Sequence, residues 1–191
     1  MSASPNPVPT SAADKEKLLD LLRKSRQRFL ASFAGVTDEQ SRRCPAAGCW
    51  SVLDTVEHLT VGETVMLKLV SDTRRPRTPN APNREELFMR VLVDRSRKMQ
   101  SPELGRPCGR FANLEEAAGQ FKAAREGTMQ FVEQCRDDLR ATEVTHPHPA
   151  AGVISTYEMI IIMARHAERH ALQIEEIRST PRCTRAKRVN E

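Results

Sequence analysis

Residues 155–179, STYEMIIIMARHAERHALQIEEIRS, decide the fold. Ser155 followed by Glu158 three positions on is a capping box, and Pro181 forbids continuation, so the segment reads as one long helix. At about 100° per residue, Met159, Ile162, Met163, His166, His170, Gln173, Ile174 and Ile177 fall on one side. Arg165, Glu168, Glu175 and Arg178 point elsewhere. The helix sends its charges to water and keeps two imidazoles in the apolar stripe facing a core.

Outward from this helix the same signals recur. In CWSVLDTVEHLTVGE, residues 49–63, Ser51 and Asp54 form a cap-like start for a helix running to about Ser71, ended by the Arg- and Pro-rich RRPRTPNAP. Trp50, just ahead of the cap, is placed to pack as a hydrophobic staple. Asp14 opens a first amphipathic helix with Leu18, Leu22, Phe29 and Phe33 on one side, closed by Gly35. Asn83 with Glu86 starts a shorter helix, about Arg84 to Lys98, and Ser101 to Arg110, with two Pro and two Gly, is a loop. Asn113 with Glu116 opens a helix whose Ala117, Phe121, Ala124, Thr128, Phe131 and Cys135 recur at three- and four-residue steps. No alternating run is long enough to demand a sheet. The pattern predicts an all-α four-helix bundle over residues 13–180, with one extra short helix in the long connection between helices 2 and 3. Residues 1–12 form a disordered amino-terminal tail, and 181–191 a short basic tail.

Composition narrows the function. The 191 residues include 30 Lys+Arg and 25 Asp+Glu, a net charge of +5 that is mixed along the chain, so nucleic-acid binding is not indicated. With 4% aromatic residues, one Trp and one Tyr among them, base-stacking surfaces and β-rich architectures are disfavoured. The longest apolar run, Met159 to Ala164, is far short of the roughly 20 residues of a membrane span. The amino terminus lacks the cationic start and apolar stretch of a secretory signal, which points to a cytoplasmic location. Cys44, Cys49, Cys108, Cys135 and Cys183 contain no C-x-x-C pair and read as reduced thiols without a role.

The histidines carry the chemistry. Spacing of four puts the His166 and His170 Cβ atoms roughly 5–6 Å apart on adjacent turns, so both rings can converge on one ion at about 2.1 Å. His58 shares its helix face with Val61, Gly62, Val65 and Leu69 and brings a third imidazole inward. Gly62, one turn on, removes a side chain where a ligand or an approaching ring needs room, and Asp54, one turn back, is a candidate to orient an imidazole. Three histidines leave a coordination position open, as catalytic sites do. Against this stands the plainer reading of core histidines bonded to carbonyls. His146 and His148, in THPHPAAG, read as loop residues.

The Trp50-Ser51 helix start followed by His58-Leu59, together with His166 and His170 followed by Gln173-Ile174, resembles the DinB/YfiT-like superfamily of metal-dependent enzymes across nearly the whole bundle. That resemblance implies a divalent metal, zinc or nickel, held by His58, His166 and His170 at one end of a four-helix bundle. It also implies a homodimer, and a small-molecule substrate handled by thiol-dependent S-transferase or isomerase chemistry with a low-molecular-weight thiol such as bacillithiol, mycothiol or glutathione. A hydrolase is the competing enzymatic reading, and a non-catalytic, stress-related metal-binding dimer the competing class. Glu57 lies about 100° from His58 and Glu168 about 160° from His166, so neither is an obvious base for water, which favours thiol chemistry. Arg74, Arg75, Arg77 and Arg84 are candidates to hold an anionic thiol, against the alternative of a solvated basic loop.

Overall fold

A computed structural model of the chain describes residues 9–46, 48–96 and 99–180. In chain order it runs through α1 (Ala12–Ser32), a single-turn α2 (Asp38–Ser41), α3 (Val52–Asp72), β1 (Arg75–Pro76), α4 (Glu85–Val91), a 3-10 turn at Glu103–Gly105, α5 (Leu114–Gln134), β2 (Thr142–Thr145), β3 (Val153–Ser155) and α6 (Thr156–Ser179). The four long helices pack in a square, with α6 and α5 both touching α1 and both touching α3. This is the all-α bundle that the periodicity predicts.

The capping chemistry sets the helix starts. Ser51 and Asp54 close a full capping box on α3, Ser155 and Glu158 close another on α6, and the Asn113 side chain accepts the Glu116 N–H on α5. α4 is shorter than expected: it begins at Glu85 and stops at Val91, seven residues ahead of the predicted Lys98, itself outside the described residues. Its first turn is held from outside, because the Arg84 N–H donates to the Glu158 carboxylate at 2.5 Å. A three-stranded antiparallel sheet, β1-β2-β3, also appears where none was expected. Its strands are two to four residues long, too short for alternation to register, and Pro76 sits at an edge where a missing N–H costs nothing.

Most of the predicted amino-terminal tail, and all of 181–191 with Cys183, lie outside the described residues. At the described end of the former, Thr10 is buried and its hydroxyl accepts the Leu139 N–H at 2.7 Å, while Ser11 caps α1.

The core has two apolar levels. One gathers Leu18, Leu22, Met66, Val70, Val132 and Met163; the other gathers Phe29, Val56, Leu59, Phe121, Ala171 and Ile174. Phe29 meets Phe33 and Phe121 edge-on at 5.3 and 4.8 Å between centroids, a geometry that aligns ring edges with ring faces. Each fully buried large apolar side chain contributes about 1.5–3 kcal/mol. Between the levels lies a buried ion pair, Arg125 on α5 with Glu63 on α3. No helix among the described residues is long and apolar enough to cross a membrane.

Candidate metal centre

All three histidines singled out from the sequence come together where α3 faces α6. His58 Nε2 lies 3.1 Å from His166 Nε2, and His170 Nε2 lies 2.8 Å from the same atom. Imidazole nitrogens each about 2.1 Å from one ion stand roughly 3.0–3.4 Å apart, for ligand angles between right-angled and tetrahedral. His58 and His170 are buried, and His166 is partly exposed. Among the described residues this trio is the one cluster of His, Cys, Asp and Glu with ligand atoms close enough to share a cation.

The outer ring nitrogens fix the tautomers. His58 Nδ1–H donates to the Gly105 carbonyl at 2.7 Å, and His170 Nδ1–H donates to Gln173 Oε1 at 2.9 Å. Each of those rings therefore turns a bare Nε2 lone pair toward His166. His166 Nε2 can donate to only one of them with a full bond, and doing so leaves its own Nδ1, buried and without a hydrogen-bond partner, as an unanswered acceptor. A cation at the meeting point answers all three Nε2 lone pairs at once, with the His166 proton then on Nδ1, so the donor set fits a divalent metal of the kind that binds neutral imidazole.

Burial keeps the rings neutral. Desolvation is the main cause that lowers the pKa of all three; His166 and His170 fall well below the ordinary histidine value, pushed further by neighbouring imidazoles, while the Gly105 bond offsets part of the effect on His58. The neutral state is the ligating state.

The cluster opens into a cavity of about 620 Å³. Val61, Val65, Met66 and Ile162 supply apolar wall, and the Trp50 ring lies over His58 and His170, with centroids 4.7 and 6.4 Å away. Trp50 is thus a cover for the histidines in addition to preceding the α3 cap. Arg95, Arg169 and Gln173 line the polar edge. Glu176 is the single carboxylate among the described lining residues, and Arg95 holds both its oxygens, at 2.7 and 2.6 Å, which lowers its pKa.

Several sequence-based assignments change. Arg74, Arg75, Arg77 and Arg84 do not line the cavity. Arg74 pairs with Asp137, Arg75 with Glu143, and Arg77 bonds the Pro82 carbonyl, while Arg84 bonds the Val153 carbonyl. These side chains tie the sheet and α4 to the bundle. Asp54 spends its carboxylate on the Ser51 cap, at 2.9 and 2.8 Å, and the Gly105 carbonyl takes the orienting role suggested for it. Gly62 does back onto a ring: a methyl there would stand 3.5 Å from His166 Cε1. His146 and His148 reach the cavity rim. His146 Nδ1 accepts the His148 N–H at 2.9 Å, which leaves its proton on Nε2 and makes neutral His146 a donor there.

Sequence reasoning missed Arg95 and Gly105 because they lie between the long helices, and Arg169 because beside Glu168 on α6 it reads as one more solvated charge. The one available signal was Gln173, three residues beyond His170 on the same face, the spacing at which helical side chains touch.

The comparisons with known proteins agree with this architecture. Residues 21–174 match the family model described as the DinB superfamily. The uncharacterized protein YuaE of Bacillus subtilis (strain 168) is 22% identical over 162 residues, which cover 84% of this chain and 96% of that one. The crystal structure of a conserved protein from Enterococcus faecalis superposes with a TM-score of 0.58 at 12% identity, covering 85% of this chain and 94% of the other, a likeness of fold.

Proposed function

The chain belongs to the DinB superfamily, and from that premise we propose that it is a metal-dependent enzyme in which His58, His166 and His170 hold a divalent ion, zinc or nickel. We propose further that it transfers a low-molecular-weight thiol to a small electrophilic substrate. The observation that carries this reading is the convergence of three Nε2 atoms, those of His58 and His170 at 3.1 and 2.8 Å from that of His166, at the floor of a cavity. When bound, such an ion supplies Lewis acidity that lowers the pKa of a thiol beside it.

The chain's own residues supply the rest. In the reaction the thiol gives up its proton to solvent at the cavity mouth, its sulfur bonds to an electrophilic carbon, and the displaced group leaves with the bonding pair. Apolar walls and the Trp50 ring exclude water from that encounter, and Arg169 places positive charge beside the carboxylates that thiols such as glutathione and bacillithiol carry. A hydrolase is the second reading. It is disfavoured by carboxylate chemistry: the one described carboxylate on the cavity is held by Arg95, and both Glu57 oxygens are occupied. A non-catalytic, stress-related metal-binding dimer is the third. A cytoplasmic homodimer completes the proposal; that nucleic acid is not its partner is supported, among the described residues, by Arg74, Arg75 and Arg95, which pair with carboxylates.

Metal analysis of the purified protein beside its His58→Ala, His166→Ala double variant tests the centre; equal metal content in both rejects it. A panel of thiols and electrophiles with zinc-, nickel- and manganese-loaded protein against the metal-free form tests the chemistry. Thiol consumption that requires both metal and the three histidines is the expected result. Metal-dependent hydrolysis without thiol selects the hydrolase, and metal binding without turnover selects the binding protein.

A further inference from the structure

Glu57 is next to His58 on α3, about 100° around the helix, and is only 1% exposed. A carboxylate beside a candidate metal ligand invites assignment as a base. Its surroundings say otherwise. One oxygen accepts the Cys108 N–H at 2.7 Å and the Arg110 guanidinium at 2.6 Å; the other accepts the Gly109 and Arg110 N–H groups, both at 3.0 Å. Four donors on two oxygens make a closed socket around one end of the loop that follows the 3-10 turn.

The other end of that loop touches His58. The Gly105 carbonyl receives the Nδ1–H at 2.7 Å, and Ser101 Oγ lies 3.4 Å from the same nitrogen. There is no slack: a Cβ on Gly105 would stand 3.0 Å from Ser101 Oγ and 3.3 Å from two atoms of the His58 ring. Adjacent residues of one helix therefore hold the same loop at two points. Glu57 grips it by its N–H groups, and His58 docks on its carbonyl. Ser101, Pro102, Leu104 and Gly105 are also cavity wall.

We propose that Glu57 is a positioning residue: by anchoring residues 108–110 it holds the Gly105 carbonyl against His58 Nδ1, which keeps the proton there and the Nε2 lone pair facing His166 and His170. The consequence for metal affinity rests on the three-histidine reading given above, but the tautomer does not. Without the anchor, the Gly105 carbonyl moves off, and His58 is released to its other tautomer, in which Nε2 carries the proton and cannot ligate. Partners that hold a ligating histidine by its outer ring nitrogen, as the Gly105 carbonyl does, act on affinity by about 10–100-fold, and Glu57 acts by holding that partner in place.

The test uses the full chain. Long-range ¹⁵N–¹H NMR of the metal-free protein reads the His58 tautomer, and zinc affinity is read by competition with a chromophoric chelator. Glu57→Gln is expected to convert His58 from the Nδ1–H form to a mixture or to the Nε2–H form, and to weaken zinc binding about 10–100-fold. Arg110→Met removes one of the four donors and is expected to shift both in the same direction by less; it also serves if Glu57→Gln does not fold. Glu143→Gln is the control: this buried carboxylate anchors the Thr78 N–H at 3.0 Å, beside the sheet, and its loss lowers stability while leaving His58 unchanged. A wild-type His58 that carries its proton on Nε2, or unchanged tautomer and affinity in Glu57→Gln and Arg110→Met, overturns the proposal. If the wild type binds no zinc, the metal reading fails while the tautomer still decides the role of Glu57.

Discussion

Where the two apolar levels of the bundle meet, the five N–H groups of Arg125 all find acceptors: both Glu63 oxygens, the Leu22 and Met163 carbonyls and Ser25 Oγ, at 2.7–3.1 Å. About one turn away along α3 and α6, three imidazoles turn lone pairs on one another, and a buried His166 Nδ1 has no partner. Both clusters place polar groups inside an apolar bundle, where an unpaired group costs about 1–3 kcal/mol. The first is closed. It takes Arg125 from α5, Glu63 from α3, Ser25 and the Leu22 carbonyl from α1 and the Met163 carbonyl from α6, so it fixes how all four pack. The second opens to a cavity and turns three Nε2 atoms toward one point. Within one core, the fully bonded cluster serves packing, and the three converging lone pairs are the ones the proposed metal would use.

The largest effect expected from this contrast is at the closed cluster. Arg125→Met strands the Glu63 charge among apolar side chains and should cost about 3–5 kcal/mol in urea unfolding, while Arg125→Met with Glu63→Leu should recover most of that loss. An unfolding midpoint unchanged by the single substitution would break the comparison.

The next effect is at the open cluster. Zinc at about 100 times its Kd should raise wild-type stability by about 2.7 kcal/mol and leave His166→Ala unmoved. In the metal-free state His166→Ala should cost about 1 kcal/mol or less, since it removes a group that is not fully bonded. A loss as large as that of Arg125→Met would make the histidines a second structural cluster.

Acid sharpens the distinction. Because the pKa of His58, His166 and His170 is lowered in the folded state, the unfolded chain binds more protons once the pH drops below the ordinary value of 6.5. The stability held above that value is therefore lost as the pH falls. Between pH 6.5 and 5.5 the metal-free chain should lose stability with a slope of up to about 1.4 kcal/mol per unit for each histidine. His170→Ala should show a shallower slope, measured by unfolding at each pH; an identical slope would remove the buried rings as its cause.

The smallest effect is at Gly62. A methyl there meets His166 at ordinary contact distance, so Gly62→Ala should gain about 0.5–1 kcal/mol of helix stability with zinc binding intact. A lost metal with the methyl in place would mean that the rings need more freedom than their packing suggests.

Much of this was legible in the sequence, and the reasons are local. Ser155 with Glu158 and Ser51 with Asp54 mark their helix starts because a capping box needs only residues three apart. His166 and His170 declare a shared face because helical pitch relates them. Other features depend on partners far along the chain. α4 stops short, and the N–H of Arg84, just ahead of it, is held by Glu158, 74 residues away. Arg125 falls between apolar positions of α5, yet its acceptors come from α1, α3 and α6. The loop arginines looked available for an anion, but carboxylates of β2 and of the α5–β2 connection take Arg75 and Arg74.

The sequence by itself determined the four long helices, their inward faces and the identity of the three histidines, because periodicity and capping act over one or two turns, where chain connectivity already fixes the geometry. Only the tertiary structure decided that the rings meet, which tautomers they hold and which arginines reach the cavity. Those outcomes turn on contacts such as His58 to Gly105, 47 residues apart, and His58 to His166, 108 apart. At such separations no local rule links the partners, and the packing of whole helices brings them within a hydrogen bond's reach.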